Sequence, residues 1–185
     1  MKQNNEELLE VVDEIGKVLR LERRDIIHKN GLLHRDSVIW FWNDKGETLF
    51  EVRAMTKDTN PGRLGPVGGH PNPNESSLDC AVREIKEEMG IEIRKDEIVS
   101  IGKVIVANEN MSVGHRPSHF REHFACRWNG KIEELHPDPE EASGYEWWSI
   151  DKMFVLTDKE KERFLPSIFH ESSLAVLKKI LEFRA

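Results

Sequence analysis

The chain has 185 residues, of which 38% are hydrophobic and 33% are charged, and its formal net charge at pH 7 is −7. This composition is typical of a globular protein, and we expect one domain over residues 1–185. The negative charge argues against broad binding of nucleic acid polymers or anionic membranes. Two cysteines are too few for a disulfide framework, and we find neither a membrane-spanning run nor a signal peptide, so a cytoplasmic protein is expected.

The first part of the chain is predicted to be rich in strands. Residues 5–12 fit either a helix or a first strand, and residues 18–21 alternate in polarity as a strand does. Residues 23–30 are predicted to form a short helix that ends at the following glycine. The run SVIWFW at residues 37–42 is almost wholly apolar, which favours a central strand buried on both faces. A turn then leads into a returning strand over residues 48–52.

The stretch from Gly69 to Ile91, GHPNPNESSLDCAVREIKEEMGI, carries the clearest pattern in the chain. Glu84, Glu87 and Glu88 have the spacing i, i+3 and i+4, so on a helix their carboxylates share one face within a single turn. A serine before the apolar run can cap the start of this helix, and a glycine ends it. The apolar stripe on roughly the opposite side consists of Leu78, Val82, Ile85 and Met89.

Three carboxylates on one helical turn repel one another unless a cation lies between them. Divalent ions with oxygen ligands suit such a cluster, and Mg²⁺ in particular binds a few carboxylates together with substrate phosphates. The alternative interpretation is an ordinary solvated helix face. The frame of residues around the acidic trio decides between these two interpretations.

The elements after this helix are predicted to be three strands and a closing helix. Strands are expected over residues 98–106, 123–128 and 145–150, with a polar loop over residues 108–121. The chain is expected to close with a helix over about residues 165–183. Its apolar face would consist of Leu174, Val176, Leu177, Ile180 and Leu181.

The acidic helix and its flanks resemble the complete signature of the Nudix family. That resemblance implies an α/β fold, an α/β/α sandwich with a central mixed β-sheet, in which the loop–helix–loop of residues 69–91 binds a divalent metal ion. It also implies hydrolysis of a diphosphate that is linked to some other group, and family members are frequently homodimers. The signature positions here are Gly69, Glu75, Arg83-Glu84-Ile85, Glu87-Glu88 and Gly90-Ile91.

The resemblance also assigns roles to individual residues. It implies that the acidic trio ligates Mg²⁺, with Mn²⁺ as a possible substitute, together with the carbonyl of Gly68. Glu75 and Arg83 would pair and hold the loop against the helix. The proton acceptor for the attacking water is left open between Glu88, Glu109 and Glu122.

The segment HKNGLLHRDSVIWFWNDKGETLFEVRAMTKDTNPGRLGPVGGHP, with REHFACRW and YEWWSI, is similar to the subgroup that contains isopentenyl-diphosphate isomerase. This similarity spans roughly residues 10–155. The isomerases use a catalytic cysteine at the position of Gly68, so the departure favours hydrolysis over proton transfer.

The isomerases also have a second metal site, which this sequence matches in part. His28, His34 and His70 match its three histidines, and Glu122 matches one of its two glutamates, whereas Phe120 stands at the other. The alternative is that these histidines are loop residues without a ligand. Basic residues before the glycine pair match positions that face the diphosphate in the subgroup, with surface solvation as the alternative. They are Arg53, Lys57 and Arg63.

The sequence therefore predicts a metal-dependent hydrolase that cleaves the diphosphate bond of a nucleoside diphosphate linked to another group, or of a related small organic diphosphate. One alternative is an isopentenyl-diphosphate isomerase that uses another acid in place of the thiol. A second is a non-catalytic ligand-binding protein, which the intact acidic trio disfavours.

Overall fold

A computed structural model describes residues 7–57, 59–107 and 118–183. Within these ranges, nine strands form one curled, mixed sheet with helices packed on both faces. The strands are β1 (Leu8–Val12), β2 (Val18–Arg23), β3 (Leu33–Trp42), β4 (Glu47–Arg53), β5 (Leu64–Gly65), β6 (Val67–Gly69), β7 (Ile98–Ala107), β8 (Ser118–Arg127) and β9 (Ala142–Ser149). The helices are α1 (Arg24–Asn30), α2 (Ser77–Met89), α3 (Ile150–Met153), α4 (Asp158–Lys161) and α5 (Glu171–Glu182).

The sheet is organised around β3. This strand pairs in parallel with β8 along its whole length, and it pairs antiparallel with β1, β4 and β6. Strand β8 also pairs with β7, and β4 pairs with β5 and β9. Because β3 has neighbours on both edges, its backbone is buried, as its run of apolar and aromatic residues predicts.

Alternation along the strands creates two cores, one on each face of the sheet. Trp40 and Phe50 are fully buried on the face covered by α5, whereas Ile39 and Phe41 are fully buried on the face covered by α2. Burying one such side chain contributes about 1.5–3 kcal/mol, so both helices are anchored mainly by apolar contacts. The α5 side chains in its core are Val176, Leu177 and Ile180, and those of α2 are Ala81, Ile85 and Met89.

The ends of α2 follow from local chemistry. The hydroxyl of Ser76 accepts a hydrogen bond of 3.0 Å from the backbone N–H of Asp79, which caps the first turn. The helix ends at Gly90, whose φ of 72° is left-handed and therefore suits glycine. The prediction of a capped helix that ends at this glycine is confirmed.

Several predicted boundaries are wrong. The closing helix begins at Glu171 rather than near residue 165, because a 3-10 turn at Pro166–Phe169 and an extended His170 precede it. Strand β8 begins at Ser118, within the segment predicted to be a loop, because its parallel pairing with β3 starts there. Strand β3 likewise begins at Leu33, not at residue 37, and β9 begins at Ala142, not at residue 145. Of the two alternatives for residues 5–12, the strand is confirmed, over Leu8–Val12.

Among the described residues, no helix is both long enough and apolar enough to cross a membrane.

Candidate active site

Arg83 ties the loop before α2 to the acidic face of that helix. Its Nε and Nη2 donate hydrogen bonds of 3.0 Å to the two carboxylate oxygens of Glu75. Its Nη2 also donates to the carbonyl of His70 at 3.1 Å, which is further up the loop. Its Nη1 donates to Glu84 at 2.8 Å and to Glu87 at 3.0 Å. One guanidinium group therefore fixes the loop and orients two of the three predicted metal ligands.

The third member of the acidic trio, Glu88, is buried. Only 6% of it is exposed, and its Oε2 accepts a hydrogen bond of 3.3 Å from the backbone N–H of Gly68. The phenol of Tyr145 donates to the main-chain carbonyl of Glu88 at 2.6 Å, so β9 fixes this turn of the helix. Glu87, by contrast, lies at the exposed rim of the cluster.

Glu51, on β4, is a member of the cluster that the sequence analysis missed. It is 6% exposed, and its Oε2 has no hydrogen-bond partner among the described residues. The residue follows the alternation of β4, which places it on the same face as Leu49 and therefore towards α2. A charged residue inside the otherwise apolar run TLFEV was the available signal.

The burial of these carboxylates changes their protonation. Burial raises the pKa of Glu88 well above its usual value, and the neighbouring charges of Glu51 and Glu84 raise it further. Burial also raises the pKa of Glu51 to about 7, against the opposing effect of Arg53. The pKa of Glu84 is raised by burial as well, although Arg83 opposes the shift. Acidic oxygens held together in this way suit a divalent cation, which would remove their mutual repulsion.

The glycine pair of β6 has no room for side chains. A Cβ atom on Gly69 would lie 2.1 Å from the Oε1 atom of Glu84, and a Cβ on Gly68 would lie 2.3 Å from the carbonyl oxygen of Ser37. Any other residue at either position would require the backbone or the acidic cluster to move. A cysteine at residue 68 therefore does not fit this backbone.

The three histidines predicted as a second metal site lie together. The nearest ring nitrogens of His28, His34 and His70 are all within 4.8 Å of one another. His34 Nδ1 lies 2.9 Å from the carbonyl of Leu32 and so carries the proton, which leaves Nε2 to face His70 Nε2 at 3.2 Å. A fourth imidazole, that of His119, has its ring centre 4.6 Å from that of His34.

Burial keeps the imidazoles of His34, His70 and His119 neutral. It lowers the pKa of His34, lowers that of His70 well below its usual value, and lowers that of His119 to about 3. Neutral imidazole is the form that binds metal ions. His119 had not been singled out, because the segment before residue 122 had been predicted to be a loop rather than a strand with a defined face.

The structure does not bring Glu122 to this histidine cluster. Side chains alternate along β8, so Glu122 lies on the opposite face from His119. Its carboxylate accepts a hydrogen bond of 3.0 Å from Ser100 and lies 3.4 Å from the ammonium of Lys103. Glu109, the rival candidate for a proton acceptor, lies outside the described residues.

The three predicted substrate-binding basic residues have different surroundings. Arg53 lines a cavity and donates a hydrogen bond of 3.0 Å to the carbonyl of Thr59. Lys57 forms an ion pair with Glu141, and Arg63 donates to the carbonyl of Phe164 at 3.1 Å. Of the three, Arg53 is the one that lines the cavity.

This cavity has a volume of about 160 Å³ and lies on the α5 side of β3 and β8, against the Pro166–Phe169 turn. Gly68, Gly69 and His70 form part of its wall. Because the two glycines also contact Glu88 and Glu84, the cavity and the carboxylate cluster adjoin through β6. The other lining side chains include Asp36, Trp40, Arg121, His123 and Ile168.

Comparison with known proteins gives consistent matches. The family model described as the NUDIX domain matches residues 32–168. The isopentenyl-diphosphate Delta-isomerase of Serratia proteamaculans is 27% identical over 160 residues, which cover 86% of each chain. That of Streptomyces coelicolor is 30% identical over 140 residues, which cover 74% of this chain and 68% of the relative. An uncharacterised Nudix hydrolase of Clostridium acetobutylicum is 31% identical over 113 residues, or 59% of this chain and 53% of the relative.

Solved structures show the same fold. A protein from Deinococcus radiodurans superimposes with a TM-score of 0.70 at 18% identity, covering 94% of this chain and 98% of its own. The MutT protein of Methanosarcina mazei gives a TM-score of 0.61 at 21% identity, covering 81% and 96%. At these identities the likeness concerns the fold alone.

Proposed function

Because this chain belongs to the Nudix family, we propose that it is a metal-dependent hydrolase that cleaves the diphosphate bond of a nucleoside diphosphate linked to another group, or of a related small organic diphosphate. The observation that carries the proposal is the carboxylate cluster in which Glu51 and Glu88 are buried and Glu84 is half-buried. A cluster of acids with raised pKa values is costly in an apo protein, and such costs are concentrated at functional sites.

Glu84, Glu87 and Glu88, together with the carbonyl of Gly68, would hold Mg²⁺ or Mn²⁺. The donor set consists of oxygens, which is what these ions prefer. The bound ion would neutralise charge on the diphosphate and lower the pKa of a coordinated water. Arg83 and Glu75 would keep the loop and the helix in the geometry that this requires.

Glu51 is the best candidate for the group that takes the proton from the attacking water. A general base works best when its pKa is close to the operating pH, and the pKa of Glu51 is raised to about 7. Its Oε2 has no partner among the described residues, so this oxygen keeps an unused acceptor position. Glu122 is less suited, because Ser100 and Lys103 occupy its carboxylate.

One observation favours the second candidate, an isomerase. The histidines His28, His34 and His70 lie together as in the isomerase-like subgroup, and curated isomerases are among the relatives. Against it stands the missing thiol at Gly68, where no side chain fits. Burial raises the pKa values of Cys80 and Cys126 to about 12, and neither residue lines the cavity. Neither thiol lies at the position of the missing group.

A substrate screen tests the hydrolase. The protein is incubated with a panel of organic diphosphates in Mg²⁺ or Mn²⁺, and release of phosphate or of a monophosphate is measured. Isopentenyl diphosphate belongs in the panel, with its dimethylallyl isomer as a separate readout. We expect metal-dependent cleavage of at least one compound and no isomer. Isomer formation without cleavage would establish the second candidate, and binding without turnover would establish a non-catalytic protein.

We further propose that His28, His34 and His70 hold a second metal ion, with His119 beside them as an additional nitrogen donor. Titration of the metal-free protein with Co²⁺ should produce a visible absorption band, because imidazole nitrogens are good ligands for such ions. His34→Ala should abolish the band. His136→Ala changes an exposed histidine and should leave the band intact. A band that survives His34→Ala would show that the ion binds elsewhere.

A further inference from the structure

The cavity on the α5 face of the sheet has two kinds of wall. Its apolar part includes Val38, Leu165 and Ile168. Its polar part is formed by β3 and β8, which contribute Asp36 and His123. Both polar side chains are buried. Each has one polar atom without a partner among the described residues, whereas most other buried polar groups there are paired. What these two side chains contact inside the protein decides what the cavity can bind.

Among the described residues, only one carboxylate oxygen of Asp36 has a partner. Its Oδ2 accepts a hydrogen bond of 2.8 Å from Arg121 Nε and lies 3.3 Å from His119 Nδ1. Its Oδ1 has no hydrogen-bond partner among the described residues, although Asp36 is only 6% exposed. This side chain therefore offers the cavity a buried acceptor.

His123 offers the matching donor. Its Nδ1 accepts a hydrogen bond of 3.1 Å from the indole N–H of Trp40. Because indole can only donate, this imidazole is neutral and carries its proton on Nε2. That N–H has no partner within the described part of the chain, and the residue is 3% exposed. Within the described ranges, a donor and an acceptor thus line the same cavity without a partner.

We propose that Asp36 and His123 recognise the group attached to the diphosphate, and that this group carries hydroxyls, as a sugar ring does, rather than being an isoprenoid chain. A hydroxyl both donates and accepts, so hydroxyls can satisfy both side chains. A hydrocarbon chain would bury them unpaired, which disfavours its binding. A volume of about 160 Å³ suits one six-membered ring. The inference rests on the proposed hydrolysis at the carboxylate cluster, which adjoins the cavity through Gly68 and Gly69.

The test compares ADP-ribose and UDP-glucose with isopentenyl diphosphate, all in Mg²⁺. We expect kcat/KM to be at least about 10-fold higher for the two sugar diphosphates. His123→Leu removes the donor and should lower kcat/KM for the sugar diphosphates by about 10- to 100-fold, mainly through KM. The same change should leave isopentenyl diphosphate within about twofold. His136→Leu, at an exposed histidine outside the cavity, is the matched control.

A preference of the wild-type protein for isopentenyl diphosphate would overturn the inference, and so would an equal loss on all three compounds in His123→Leu. The wild-type comparison stands even if the variant fails to fold. If the wild-type protein cleaves none of the three, nor any compound of the wider panel, the proposed hydrolysis fails. Isothermal titration with the same three compounds then judges the cavity by itself. Tighter binding of the sugar diphosphates would support the inference, and equal or weaker binding would overturn it.

Discussion

Replacing Glu88 by glutamine is expected to lower kcat for any diphosphate that the wild-type protein cleaves by at least about 100-fold. Glutamine has the same shape, and its amide oxygen can still accept the hydrogen bond from Gly68 N–H. What is lost is the negative charge that would hold the metal ion against the diphosphate. Steady-state kinetics at saturating Mg²⁺, with a substrate found in the screen, would measure the change.

Stability separates this effect from unfolding. The pKa of Glu88 is raised by burial and by neighbouring acids, so its charged form is costly in the metal-free protein. The glutamine variant should therefore be at least as stable as the wild-type protein towards thermal unfolding without metal. The matched control is Glu92→Gln, which should retain activity. Glu92 is exposed, lies just beyond the same helix, and pairs only with Lys86 among the contacts described. Full activity in Glu88→Gln would remove Glu88 from the metal site.

The part of the site that lies on α2 was predictable because its determinants are local in sequence. Helical spacing places Glu84, Glu87 and Glu88 on one turn, and the apolar stripe dictates which face packs on the sheet. The serine cap and Gly90 set its ends. The spacing did not reveal that Glu88 is buried while Glu87 is exposed, because that difference arises from β6 and β9 packing against the helix.

The rest of the site depends on long-range pairing. Glu51 joins the cluster because β4 presents it to α2, and its one signal in the sequence is a charged residue within an apolar run. His119 faces the other histidines because the parallel register of β8 with β3 sets it opposite His34. The polar sequence of residues 108–121 instead predicts a loop. His119 and Glu122 lie on opposite faces of β8. A shift of one residue in the register of this strand would exchange the two faces, and the register depends on pairing with β3 rather than on composition.

Under the proposed function, the two faces of the sheet therefore have different roles. The face covered by α2 carries the carboxylates, whose charge a cation would offset. The face covered by α5 carries the imidazoles and the cavity, whose lining sets the shape and polarity of what can enter. The glycine pair of β6 lies between the two faces. Glycine is needed there, because a side chain at either position would clash with Ser37 or Glu84.

Replacing Glu51 by glutamine is expected to lower kcat by about 100-fold or more. Without metal, the same replacement is expected to raise the free energy of unfolding at about pH 8 by roughly 1–3 kcal/mol. The folded-state pKa of Glu51 is about 7, above its ordinary value of 4.5. The folded protein therefore holds this proton more tightly than the unfolded chain. Its contribution to stability is present below the ordinary pKa and is lost as the pH rises through about 7.

Denaturant unfolding at several pH values would measure this difference between the two proteins. The difference should be small near pH 4.5, the ordinary pKa of the group, and should grow up to about pH 8. The histidines with lowered pKa values destabilise the fold as the pH falls, but they do so in both proteins and cancel in the comparison. Added Mg²⁺ should reverse the order of stability, because only the wild-type cluster keeps its full charge. Glu47→Gln, on the same strand, should change neither the activity nor the dependence of stability on pH. A Glu51→Gln variant with wild-type kcat would exclude Glu51 as the proton acceptor.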